Sequence, residues 1–273
     1  MDECTIIMGV DESTIKQAME THKTWKLVRP EVCSWPWMIF FDPKSVTLRD
    51  VSHLKRLLQL NRVHFIPWYD DHYHSQREKM VTGHVFVPAE HCNTEWSCKI
   101  DTDAMAVEND KKWPLPEWFE PENGRHNVMI ASNWGYTRAK GGGPLKDDLD
   151  VWCETLEAFG DAYFDTPRVG LAEKISSRDH PKGPKMKMQR LASWICFQKT
   201  SWVKAMSKLF SDHCGHHTLP VPSHDTSLWY SALRSGERFQ FAKMGRYGFT
   251  NRLTMKSIRN KVQEVVEKYE AAI

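Results

Sequence analysis

Trp96-Ser97-Cys98-Lys99-Ile100-Asp101-Thr102-Asp103-Ala104-Met105-Ala106 is the stretch on which the fold turns. Trp96–Ile100 reads as a short strand, and the strand ends at two carboxylates, Asp101 and Asp103. If the strand ran on through both, their side chains would share one face, because strand side chains alternate with period 2. Two carboxylates flanking Thr102 make a compact all-oxygen donor set. Hard divalent cations such as Mg²⁺ and Mn²⁺ favour such ligands, commonly one or two carboxylates completed by substrate phosphates. A bare Asp-x-Asp triplet also suits a solvated turn after a strand. The neighbouring chain decides between the two readings.

Upstream, apolar runs alternate with helical patterns. Thr5–Val10 (TIIMGV) and Trp37–Phe41 (WMIFF) are continuous apolar runs that read as buried strands, and Val63–Trp68 (VHFIPW) reads as a third ending at Pro67. Between them lie a helix over Thr14–Leu27, with Ser13 as N-cap and Pro30 as terminator, and a helix over Leu48–Leu60. The second helix carries Leu48, Val51, Leu54, Leu57 and Leu58 at helical spacing. Strand and helix in alternation predict a mostly parallel sheet with crossover helices. Ligands of such sheets bind beyond the carboxyl ends of the strands. Asp11, Asp42 and Asp70 all follow strand ends, so they should lie along one rim, as turn formers or as contacts to a base or ribose.

Composition narrows the class. The chain has 273 residues, 41% hydrophobic and 26% charged, with a formal net charge of +2, so it is globular and bulk charge does not announce a nucleic-acid binder. No run approaches the ~20 apolar residues of a membrane span, and the first residues lack the pattern of a secretory signal. Seven cysteines without a Cys-x-x-Cys pair predict free, mostly buried thiols and a cytoplasmic location. Twelve tryptophans predict ligand-facing or interface positions for some, against a tryptophan-rich core as the alternative.

Downstream the pattern changes. A helix is expected from Gln76 to about Glu90, a proline-rich excursion over 108–124, a strand over Val128–Trp134 and a helix over Leu149–Phe159. The stretch 178–190 is basic and reads as an exposed loop. Leu191–Phe197 reads as a strand, and Ser201–Phe210, Asp225–Arg234 and Thr254–Ala272 read as helices. Ile258, Val262, Val265, Val266 and Tyr269 mark the apolar face of the last. Lys243–Thr250 reads as a turn rich in glycine and aromatics. The expectation is one domain over 1–273, made of a nucleotide-binding half (1–107) and an acceptor half (108–273).

The N-terminal strand–helix–strand–helix–strand unit, the Gln-Arg-Glu-Lys-Met helix start and the strand ending Lys-Ile-Asp-Thr-Asp together resemble the GT-A glycosyltransferases. The resemblance covers roughly residues 3–107 well and 190–250 loosely. It implies a GT-A (Rossmann-like) mixed, mostly parallel sheet flanked by helices. It also implies a nucleotide-sugar donor, a UDP-sugar favoured, at the strand ends, with Mn²⁺ or Mg²⁺ on its diphosphate. By the same resemblance Asp101 and Asp103 match the Asp-x-Asp; beside them His224 is expected as a further metal ligand, Asp11 and Asp42 as donor contacts from the rim, and Arg77 or Lys79 as a phosphate contact from the Gln76 helix start. Asp225, at the start of the His224–Tyr230 segment, matches the general base of inverting members. The usual acidic pair is here His-Asp, a departure that leaves the base and the stereochemistry open. Asp225 is equally placed to cap its own helix.

Physical chemistry asks for the same parts. A departing diphosphate develops negative charge that a divalent ion stabilises, and a carboxylate across the sugar can take the acceptor's proton. Rival readings are a zinc site in Asp212-His213-Cys214-Gly215-His216-His217, one histidine of that cluster as a third ligand to the Asp-x-Asp ion, and a nucleotidyltransferase; His72 and His74 read as surface histidines or as flanking the nucleotide. A fourth is a nucleic-acid binder, using the 178–190 stretch with Arg246, Arg252, Lys256 and Arg259. Combined with the glycosyltransferase reading, it makes Lys182, Lys185, Lys187 and Arg246 acceptor contacts and a hydroxymethylated base in DNA a candidate acceptor. No Gly-x-Ser-x-Gly, Gly-x-Gly-x-x-Gly or phosphate-loop motif occurs.

Overall fold

The computed structural model describes residues 4–67, 92–106, 128–132, 154, 157, 158, 160–162, 164–170, 195–199, 234, 239–243 and 255–271. Strands are β1 (Cys4–Val10), β2 (Trp37–Phe41), β3 (Val63–Pro67), β4 (Trp96–Ile100), β5 (Val128–Ser132), β6 (Ile195–Lys199) and β7 (Phe239–Lys243). Helices are α1 (Thr14–Val28), α2 (Pro30–Ser34), α3 (Leu48–Leu58) and α4 (Met255–Glu270). The strands form one sheet in the order β3-β2-β1-β4-β6-β5-β7. β1 pairs in parallel with β2 and β4, and β2 with β3; β6 runs antiparallel to both β4 and β5, and β5 pairs in parallel with β7. This is the mixed, mostly parallel sheet that the alternation predicts.

Burial explains the apolar runs. Every residue of β1, β2 and β4 is buried, as expected for central strands covered on both faces, whereas β3 at the sheet edge is only partly covered. On one face Ile6, Met8, Val10, Trp37, Ile39, Phe41, Cys98 and Ile100 pack with Ile15, Ala18 and Trp25 of α1 and Val51, Leu54 and Leu58 of α3. Val265 and Tyr269 of α4 join this core, so the predicted apolar face of the last helix is the one that docks. The opposite face carries a smaller cluster of Ile7, Met38 and Phe40.

Some local signals resolve differently from the sequence expectation. Ser13 makes no side-chain cap, because its backbone is already helical; Asp11 is the residue whose carboxylate holds the first turn. Pro30 does not merely end α1 but opens α2 at its first turn, where a missing N–H costs nothing. α3 stops at Leu58, with Gln59 left-handed (φ 56°), and starts on a Thr47–Asp50 capping box. Leu48 of the expected stripe is exposed. β6 extends to Lys199, beyond the expected end at Phe197, and Lys243 closes a strand instead of opening a turn.

Trp25, Trp37 and Trp96 belong to the core, and Trp35 packs against it. The indole N–H groups of Trp25 and Trp37 donate to the carbonyls of Ala104 and Val32, each at 3.0 Å. The tryptophan-rich core therefore accounts for these four, and none of them is an exposed stacking platform. Cys4, Cys33, Cys92 and Cys98 are free thiols. Burial pushes the thiols of Cys33 and Cys92 up to about 12. Among the described residues no helix is long and apolar enough to cross a membrane.

Candidate metal and nucleotide site

β1, β2 and β4 run in parallel, so Asp11, Asp42 and Asp101, each following the last residue of its strand, share one rim of the sheet. The predicted rim is therefore present for these three, while Asp70 lies outside the described residues. The rim loops are tied together. The Asp42 amide donates to the Val10 carbonyl at 3.1 Å, and the Glu12 amide to the Ser45 hydroxyl at 3.3 Å.

The three carboxylates do different work. Asp11 Oδ1 accepts from the amides of Ser13 and Thr14, each at 2.8 Å, and from both their hydroxyls. Burial raises the pKa of Asp11, but these bonds outweigh it and hold the group below its ordinary value. Asp42 accepts from the Lys44 amide with Oδ1 (2.9 Å) and from the Ser45 hydroxyl with Oδ2 (2.7 Å). Both residues thus form their own turns, the simpler of the two roles open to them in the sequence.

Asp101 and Asp103 are arranged differently from a continued strand. β4 ends at Ile100, and the Ala104 amide donates to the Asp101 carbonyl at 3.0 Å, so residues 101–104 close a hydrogen-bonded turn. A turn, not strand alternation, brings the two acids to the rim. The Asp101 side chain is 29% exposed, while Asp103 is 8% exposed.

Helix α1 positions this turn. Thr21 donates its hydroxyl to the Thr102 carbonyl at 3.0 Å, Thr102 donates its own to Gln17 Oε1 at 2.9 Å, and the Ala106 amide donates to the Thr24 hydroxyl at 3.1 Å. With Trp25 on Ala104, four residues of α1 hold the backbone and hydroxyls of 102–106. Met105 packs on Ile258 and Val262 of α4, closing the other side. Sequence reasoning alone does not single out the α1 threonines. A signal for them exists, since Thr21 and Thr24 are hydroxyls on an otherwise apolar helix face.

Lys99 is a second residue that sequence reasoning misses. Its ammonium forms an ion pair with Asp101 Oδ1, although its side chain is only 4% exposed. A lysine inside the buried run WSCKI, two residues before an acid at the strand end, is the available clue.

A second polar cluster joins distant parts of the chain. Arg234, 2% exposed, pairs with Glu157 Oε2 at 2.8 Å and also with Asp161, and its Nε donates to the Thr166 carbonyl at 3.0 Å. The Val169 amide donates to Glu157 Oε1 at 3.1 Å. Bonds from Arg168 and then Arg234 hold Asp161 below its ordinary pKa.

Arg77, Lys182, Lys185, Lys187, His224, Asp225 and Arg246 lie outside the described residues, as do His72, His74 and the 212–217 cluster. Lys256 and Arg259 sit exposed on α4, and Arg259 pairs with Glu20 of α1 at 2.9 Å. Among the described residues no three His, Cys, Asp or Glu side chains converge as a metal cage. The Asp101–Asp103 pair nonetheless fits a hard divalent ion by donor chemistry, because such ions take few carboxylates and fill the rest with phosphate oxygens and water.

No family model matches the chain, and no curated protein matches it in sequence. Solved structures match its fold. Core-mannan synthase A (CmsA/Ktr4) from Aspergillus fumigatus, in a Mn/GDP form, superposes with a TM-score of 0.58 at 11% identity, covering 92% of this chain and 75% of that one. The mannosyltransferase Ktr4p from S. cerevisiae in complex with GDP gives 0.60 at 10% identity, over 92% and 71%. At such identities the likeness speaks to fold alone. The chain has the GT-A, Rossmann-like fold: parallel strands β3-β2-β1-β4 with packed helices.

Proposed function

We propose that the protein is a metal-dependent glycosyltransferase that moves a sugar from a nucleoside-diphosphate sugar to a hydroxyl acceptor. The observation that carries this reading is the Asp101–Ala104 turn. It follows β4 at the carboxyl ends of the parallel strands, the end where ligands of such sheets bind, carries Asp101 and Asp103, and is braced by α1. Two proteins of the same fold carry GDP, one of them with Mn.

In this reading Asp101 and Asp103 hold Mn²⁺ or Mg²⁺, with His224 as the added ligand from the second half. The bound ion supplies charge stabilisation for the departing diphosphate. Asp11 and Asp42 order the rim loops and line the donor side with Arg77. Asp225 takes the proton of the acceptor hydroxyl. Residues 1–107 bind the donor and 108–273 the acceptor. A UDP-sugar remains the donor of first choice from the resemblance, and the GDP complexes put GDP-sugars beside it. Lys182, Lys185, Lys187 and Arg246 make DNA bearing hydroxymethylated bases an acceptor to include.

The test is release of nucleoside diphosphate from a panel of UDP- and GDP-sugars with Mn²⁺ or Mg²⁺. Oligosaccharides and hydroxymethylated DNA serve as acceptors. Turnover that needs the ion and is lost in Asp103→Ala supports the reading. Turnover unaffected by chelator and by that substitution contradicts it.

A further inference from the structure

The Lys99 ammonium lies against Asp101, the first acid of the Asp-x-Asp turn. Lys99 occupies the second-last position of β4, opposite Ile7 of β1 in the parallel register, on the face that carries the Ile7, Met38 and Phe40 cluster. Its ammonium is almost fully withdrawn from solvent, and it reaches Asp101, the more exposed partner at the rim. A buried ammonium needs a compensating charge, because leaving it unpaired in an apolar setting is costly. Asp101, the first acid of the turn proposed to bind the ion, supplies such a charge.

We propose that Lys99 is the resident counter-ion of Asp101, displaced from it when a divalent cation binds, so that Lys99 sets how tightly the site takes the ion. This rests on the donor-site reading above. Two carboxylates in one four-residue turn repel each other and attract any cation. The lysine cancels one of the two charges in place. A divalent ion must then compete with a tethered cation that is already in contact, and free metal binds weakly. A diphosphate bringing its own oxygen ligands raises the affinity. Lys99 is in this account a positioning residue, acting on the ion through Asp101.

The account predicts a gain on removal, which a merely structural lysine would not give. Mn²⁺ binding to the full chain, without nucleotide, is measured by titration calorimetry and by the electron-spin signal of free Mn²⁺. Lys99→Met is expected to bind Mn²⁺ about tenfold more tightly than wild type, the loss of one competing ion pair. Lys99→Arg, which keeps the charge, is expected to stay within about threefold of wild type. The gain must vanish when Asp101→Asn is added to Lys99→Met. Lys99→Gln carries the same test should Lys99→Met fail to fold. Equal or weaker Mn²⁺ binding in the folded neutral variants, with wild type still binding the ion, overturns this inference alone. Absence of Mn²⁺ binding in wild type and all variants, repeated with GDP and UDP present, removes the donor-site reading as well.

Discussion

Trp25 of α1 donates its indole N–H to the carbonyl of Ala104, 3.0 Å away and 79 residues along the chain. The bond ties the first crossover helix to the turn that bears Asp101 and Asp103. It does so from inside the core, where the same ring packs against the sheet. Packing and positioning therefore meet in one side chain. A change in that side chain should register in both stability and ligand binding.

Trp25→Phe keeps most of the ring and removes the donor. It should destabilise the fold by roughly 1–3 kcal/mol, because the Ala104 carbonyl loses a buried partner and some volume is lost. Trp25→Ala should cost about 3–5 kcal/mol. Urea unfolding gives both values. Under native conditions Trp25→Phe should also weaken nucleotide binding, whereas Trp37→Phe, which loses its bond to Val32 away from the turn, should not.

The ion pair between Arg234 and Glu157 is buried on both sides, at 2% and 3% side-chain exposure. Removing either partner leaves the other's buried charge with less compensation, Arg234 keeping Asp161 and Glu157 keeping the Val169 amide. Arg234→Met should therefore cost about 3–5 kcal/mol, and Glu157→Leu a similar amount. The double variant Glu157→Leu/Arg234→Met should be more stable than the sum of the singles implies. Chemical denaturation of the four proteins closes the cycle, and strict additivity would show that the two side chains are not coupled.

Acid should act first through His22 and then through Asp11. Burial leads the causes that lower the His22 pKa below its ordinary value. The unfolded chain therefore takes up this proton more readily than the folded one. The stability involved is present above about pH 6.5 and is lost as the pH falls from there through the folded value. Asp11 is also lowered, burial opposing and the bonds from Thr14 and Ser13 prevailing. Its contribution is present above about pH 4 and lost as the pH falls through its folded value. Melting temperature against pH should show both slopes. His22→Gln should flatten the first and Asp11→Asn the second.

The parts legible in the sequence are those whose physics is local. β1 and β2 are buried on both faces and appear as near-continuous apolar runs closed by an aspartate, β4 appears as WSCKI with apolar residues at alternate positions closed by Asp101, and their order implies the parallel sheet. β7 escapes notice because FQFAK is short and broken by Gln240 and Lys243, so it offers no continuous apolar run. The Ser13 cap fails because Ser13 is already helical in backbone, and Asp11, two residues earlier, takes the amides of Ser13 and Thr14 instead. The Asp-x-Asp is visible in the sequence, but its support is not. The bonds from Thr21 and Trp25 span about 80 residues of chain, and no local pattern encodes such a partner. Asp225, His224 and the basic 178–190 stretch fall outside the described residues, so their roles rest on chemistry and await substitution.

The most direct measurement is calorimetric titration of GDP and UDP into the protein with and without Mn²⁺, on wild type and on Asp103→Ala. The account predicts nucleotide binding that needs the ion and weakens by at least about tenfold in the variant, with folding intact. Binding that is indifferent both to Mn²⁺ and to Asp103, or no binding of either nucleotide, would contradict it and reduce the Asp101–Ala104 turn to a structural one.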